Sequence, residues 1–128
     1  MWLRPDQVDH LRTACYQTGA EYLQQRNEAI IALLYDTGLR VGELVALDVD
    51  YLRDNTTKLY LPSHIQKDYP NENTPPLKTL GLASDTTRLL QSYLTNRWKD
   101  SPALFPSRSS DRISTQGVRN LVHKVAKF

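Results

Sequence analysis

Apolar residues recur along this chain with two different periods, and the changes of period divide it into elements. Pro5 suits the first turn of a helix, and Val8, Leu11, Ala14 and Cys15 follow at helical spacing, which predicts a helix over 5–17. Thr18-Gly19 ends it. A second helix is predicted over 21–36, with Leu23, Ile30, Leu33 and Leu34 turned inward, and Gly38 stops it. A short third helix, 40–47, would be buried through Leu39, Leu44, Val45 and Leu47. The period then shortens. Segments 49–53 and 58–62 flank the turn-like Asp54-Asn55-Thr56 and read as a hairpin. Pro62 interrupts it, residues 63–76 are polar and proline-bearing, and 77–82 alternates as a third strand. Ser84 or Asp85 is the expected cap of a helix over 85–98, striped by Leu90, Tyr93, Leu94 and Trp98. Residues 101–110 read as a proline- and serine-bearing loop around Leu104-Phe105-Pro106. Ser114 then caps a last helix, 115–127, whose Val118, Leu121, Val122 and Val125 share one face. Helices, a small antiparallel sheet, then helices again make an α+β domain, mainly helical with three strands.

Composition narrows the class. The 128 residues suffice for one domain with a core, and neither a repeat nor a boundary divides them. No apolar run is long enough for a bilayer, and Met1-Trp2-Leu3-Arg4-Pro5 lacks the features of a signal peptide. Cys15 is the single cysteine, so no internal disulfide forms. Its position on an apolar stripe makes a buried thiol in a reducing, cytoplasmic setting the expectation. The net charge of +2 says little, but its distribution says more. Residues 1–56 carry five arginines against nine acids, a net −4, and residues 57–128 carry eleven bases against five acids, a net +6. A basic half is compatible with a face for a polyanion, and equally with an ordinary solvated surface.

One short stretch adds chemistry. Gly38 fits a helix C-terminus that turns into the left-handed region. Arg40 follows near the start of the next helix, where backbone N–H groups and the dipole favour an anion, and a guanidinium there can grip phosphate. A plain helix-face pair between Arg40 and Glu43 would use the same residues.

Thr37-Gly38-Leu39-Arg40, with Glu43, Leu44, Leu47 and the acidic Asp48 and Asp50, resembles the first arginine box of the tyrosine recombinases, or phage integrases. That resemblance implies cutting and rejoining of double-stranded DNA through a 3′-phosphotyrosyl intermediate. Two arginines would offset charge on the scissile phosphate, a hairpin lysine would protonate the leaving 5′ oxygen, and a tyrosine would form the covalent bond. Arg40 matches the first arginine, with Gly38 and Glu43 supporting it. Lys67, between the second and third strands, is the implied lysine, ahead of Lys58 and Lys78. The second box, His-x-x-Arg, has no match at His10, His64 or His123, and no tyrosine here stands in a box that would activate it. The resemblance thus covers about the first two-thirds of the family's catalytic domain, and the family's separate N-terminal domain is not matched. The expectation is a single incomplete catalytic domain, excised from a larger recombinase or surviving as a remnant. Arg108, Arg112, Ser114, Arg119 and Lys124 form a further candidate DNA-binding set, with Ser107, Ser109, Ser110 and Thr115 as added donors. The wet face of an amphipathic helix explains Arg119, Lys124 and Lys127 equally well. No zinc spacing and no glycine-rich phosphate loop occurs, so no metal, cofactor or small-molecule substrate is expected. The partners implied are double-stranded DNA and full-length recombinase protomers, with no membrane. Three functions remain open: a fragment of a DNA-cutting enzyme, a stand-alone, non-catalytic DNA- or partner-binding module, and an unrelated helical regulator in which the Arg40 motif is coincidence.

Overall fold

The computed structural model describes residues 4–66 and 78–127. Helix α2 (Glu21–Thr37) runs through the middle, because residues 29–34, Ala-Ile-Ile-Ala-Leu-Leu, are apolar on every side and all buried. Packed on it are α1 (Pro5–Ala14), α3 (Val41–Val45), α4 (Ser84–Asn96) and α5 (Thr115–Val125). A three-stranded antiparallel sheet in the order β1 (Leu52–Arg53), β2 (Lys58–Leu61), β3 (Lys78–Gly81) completes the domain. Leu52 faces Leu59, and Leu59 faces Leu80, so the apolar side of the sheet joins the core.

The element order follows the periodicity, and the edges differ for physical reasons. Helix α1 gives out at Ala14, and Tyr16 and Gln17 donate to Thr13 and Ala14 in a tighter last turn. Helix α3 starts at Val41, not at residue 40, since Arg40 is extended (ψ 154°) and serves as the N-cap. The strand expected from residue 49 begins only at Leu52, with Val49–Tyr51 forming a 3-10 turn. The backbone just before that turn is paired elsewhere. Asp48 bridges Ala103, Val49 N–H donates to Pro102 O (2.9 Å), and Leu104 N–H donates to Leu47 O (2.9 Å).

Helix α4 begins at Ser84, so neither Ser84 nor Asp85 is its cap. Ala83 is the N-cap, and its N–H is received by Asp36 Oδ2 at 2.9 Å from the end of α2. Asp85 faces Arg12 instead, at 3.0 Å, and that hydrogen bond holds its carboxyl below the ordinary range. Arg12 also binds Glu28 at 2.9 Å, and Tyr16 donates to the other oxygen of Glu28 at 2.6 Å, so one cluster joins α1, α2 and α4. At the far end, α4 stops at Asn96 and leaves Trp98 outside the helix, edge-on to Tyr22 with ring centroids 5.3 Å apart.

The hairpin turn holds three successive residues at positive φ: Asp54 (55°), Asn55 (57°) and Thr56 (67°). A β-branched residue there is strained. Hydrogen bonds from α4 keep the turn in place: Thr87 Oγ1 donates to Thr56 O (2.7 Å) and Gln91 Nε2 to Asn55 O (2.9 Å).

Segment 101–110 is irregular, as its prolines and serines lead one to expect, but its first half is packed into the core. Ser101, Ala103, Leu104, Phe105 and Pro106 are all buried. Phe105 packs on Tyr93 with centroids 5.6 Å apart, and Tyr93 donates its hydroxyl to Leu104 O at 2.8 Å. No helix among the described residues is long and apolar enough to cross a membrane.

Candidate nucleic-acid interface

The joint between α2 and α3 is built by two local devices. Gly38 adopts φ 67°, ψ 19°, and its N–H closes onto Leu34 O at 2.9 Å, ending α2 in the left-handed conformation that glycine enters without a Cβ clash. Leu39 then turns into the core, which leaves Arg40 exposed at the mouth of α3. Glu43 Oε1 accepts the Arg40 backbone N–H at 3.0 Å. The two residues expected to support Arg40 therefore act on its backbone. Arg40 is thus an exposed residue at the N-cap of α3, where the opening N–H groups of the helix lack intrahelical acceptors.

The opposite end of α3 is held by Arg112. Its Nη1 donates to Val45 O (2.8 Å) and Leu47 O (3.0 Å), and its Nη2 pairs with the Asp48 carboxylate. An arginine expected among the DNA contacts thus has three acceptors within the chain, 64 to 67 positions away in sequence. It stands two residues before Ser114, the N-cap of α5, whose Oγ accepts from Gly117 N–H at 3.0 Å. Helices α3 and α5 pack on each other.

The other candidates disperse. Arg119 and Lys124 are both exposed on α5, but five residues of α-helix turn through roughly 500°, which sets them about 140° apart around the axis. Lys124 Nζ lies over the connection between α1 and α2, 3.8 Å from where a Cβ on Gly19 would stand. Arg108 is exposed at the tip of a tight serine turn. In that turn Ser110 N–H donates to Ser107 Oγ (2.9 Å), and Ser110 Oγ donates to Arg112 O (2.8 Å). The hydroxyls of Ser107 and Ser110, expected to be added phosphate donors, are thus engaged in shaping the turn. Lys67 lies outside the described residues. The two other candidate lysines are exposed on strands, and Lys58 pairs with Asp54 at 3.4 Å. Among the described residues no cluster of His, Cys, Asp and Glu could hold a metal ion.

Two arginines missed by sequence reasoning prove structural. Arg26 is only 7% exposed; it donates from Nε and Nη2 to Asn27 Oδ1 (3.0 and 2.7 Å) and from Nη1 to Pro106 O (3.1 Å). Burial lowers its pKa. Arg97 binds the carbonyls of Ser101, Ala103 and Leu104. Arg26 did carry a signal, standing three residues after Leu23 and four before Ile30 on the stripe that faces the core.

The fold and the arginine box agree with what the chain resembles. A family model described as the phage integrase family matches residues 1–128. Tyrosine recombinase XerC of Azotobacter vinelandii is 28% identical over 121 residues, which cover 90% of this chain and 38% of that protein. The crystal structure of XerA recombinase superposes with a TM-score of 0.76 at 23% identity, over 99% of this chain and 42% of that one. XerH site-specific recombinase, crystallised bound to difH substrate as a pre-cleavage complex, superposes with a TM-score of 0.70 at 14% identity, over 98% of this chain and 36% of that one. The two structures show a common fold, and the chain spans less than half the length of each of these relatives. With a family model matching from end to end and an arginine box at the joint where α2 meets α3, the chain belongs to the phage integrase family, the tyrosine recombinases.

Proposed function

We propose that these residues form the phosphate-gripping part of a site-specific tyrosine recombinase's catalytic domain, which binds duplex DNA and works in a cytoplasmic setting with other recombinase protomers. The observation that carries this reading is the exposure of Arg40 at the mouth of α3, directly after the left-handed turn at Gly38. Arg40 stabilises the charge that builds on the scissile phosphate, and Lys67 delivers a proton to the departing 5′ oxygen. Arg108, Ser114 and Arg119 add contacts to backbone phosphates, while Lys124, over the α1–α2 connection and about 140° from Arg119 around α5, stands apart from them. Arg112 serves the scaffold. The XerH complex with its substrate supports duplex DNA as the partner.

A second reading, a non-catalytic DNA-binding module derived from a recombinase, rests on the same exposed Arg40. The reading frame beyond Phe128 separates the two. A His-x-x-Arg run and a later tyrosine there support the enzyme, and a stop codon supports the module.

Both readings expect the 128-residue polypeptide to bind a short random-sequence duplex at low ionic strength and to release it steeply as salt rises, because binding displaces counterions from the phosphates. Both also expect no covalent adduct on a nicked suicide substrate resolved on a denaturing gel. Undetectable duplex binding at low salt rejects both readings. A trapped adduct shows that a tyrosine within these residues is a nucleophile after all.

A further inference from the structure

We infer that Arg112 is the positioning residue for Arg40, acting through the backbone of α3 and not by touching DNA; this rests on the phosphate-gripping reading above. Helix α3 has five residues, too few to hold its own axis. Its N-terminal turn carries Arg40, fixed locally by Glu43 Oε1. What sets the direction of the rod is its other end, where α3 breaks and hands the chain to the 3-10 turn at Val49–Tyr51. There the guanidinium of Arg112 gathers three acceptors, the carbonyls of Val45 and Leu47 and the Asp48 carboxylate. A planar guanidinium holds several acceptors in a fixed relation, which a lysine cannot do. Arg112 itself is anchored by sequence, lying between buried Ile113 and the serine turn, whose Ser110 Oγ donates to its carbonyl. One side chain therefore couples the orientation of α3, and with it Arg40, to the entry of α5, where Ser114 caps the helix. The cation also faces the C-terminal end of α3, where the helix dipole favours positive charge.

The test is a double-mutant cycle on the 128-residue chain, with affinity for a short random-sequence duplex read by fluorescence anisotropy and scaled to the folded fraction. Arg40→Ala and Arg112→Met are each expected to weaken binding about tenfold, the size of one charge-assisted contact. The double variant is expected to bind no more weakly than Arg40→Ala alone, since Arg112 has nothing left to position. The backbone amide resonances of Arg40 to Glu43 should shift in Arg112→Met without DNA. Asp48→Ala supplies an arm with opposite signs. If Arg112 positions Arg40, loosening its anchor weakens binding, whereas if Arg112 is a DNA contact, releasing its guanidinium strengthens binding. Additive losses in the cycle, unshifted amides at 40–43, or tighter binding by Asp48→Ala each overturn the positioning role. Unchanged binding by Arg40→Ala overturns the phosphate-gripping reading itself and the positioning role with it, a result distinct from additivity.

Discussion

Replacing Phe105 with alanine is expected to destabilise the domain by about 3–5 kcal/mol, the usual cost of removing a buried aromatic ring and leaving its cavity. The ring is 2% exposed and packs on Tyr93. Around it the backbone has no regular structure to close the space. It is pinned instead by Arg97, by Arg26 through Pro106 O, and by the hydroxyl of Tyr93. These polar pins hold the segment at fixed distances, so little collapse into the cavity is available. Against a total stability of about 5–15 kcal/mol for an ordinary domain, such a loss leaves a marginal fold. Urea denaturation checks it. The midpoint should fall steeply with an unchanged slope. A loss below about 1 kcal/mol would mean that segment 101–106 is peripheral.

Raising the pH from 9 to 12 is expected to remove a comparable amount of stability. Burial, with a contribution from the Glu28 carboxylate, pushes the Cys15 thiol up from 9.0 to about 12. Burial likewise pushes the Tyr93 phenol up from 10.0 to about 12, against the opposing pull of Arg97 and Arg26. Tyr16 is raised as well, by partial burial and by its hydrogen bond to Glu28, although the residue is half exposed. In the unfolded chain these groups lose protons first. The unfolded state therefore binds fewer protons across this window, and stability falls as pH rises. It is fully present below the unfolded values and gone once the folded values are passed. For Cys15 alone the difference amounts to roughly 4 kcal/mol at pH 12, using 1.36 kcal/mol per pKa unit. Equilibrium urea melts at stepped pH under reducing conditions measure this. Cys15→Ala should flatten the decline between pH 9 and 10, where the thiol is the first of these groups to titrate in the unfolded chain. An unaltered decline in that variant would mean that the thiol is not shielded.

Local pattern carried the helices and the site's joint. The apolar stripe of α5, the buried run in α2 and the glycine at position 38 are written in spacings of a few residues, and position 40 follows from them. What local pattern could not carry is which arginines belong to the surface. Arg97 looks like a solvated charge in the sequence and Arg112 like a DNA contact, and even Arg26, on a core-facing stripe, does not reveal its partner; yet all three donate to backbone carbonyls, two of them to partners more than 60 residues away. The burial of segment 101–106 was hidden in the same way, because burial without periodicity leaves no trace in spacing. Of the two expected caps, Ser84 and Asp85, neither caps α4, and the partner of Asp85, Arg12, lies 73 positions earlier.

The central claim is that Arg40 grips a backbone phosphate of duplex DNA. The most direct measurement is the salt dependence of duplex binding for the unaltered chain and for Arg40→Ala, each titrated over the same range. Loss of one phosphate contact is expected to reduce the slope of log K against log salt by about 0.9, with weaker binding at every salt concentration. Parallel lines with equal affinities would contradict the claim.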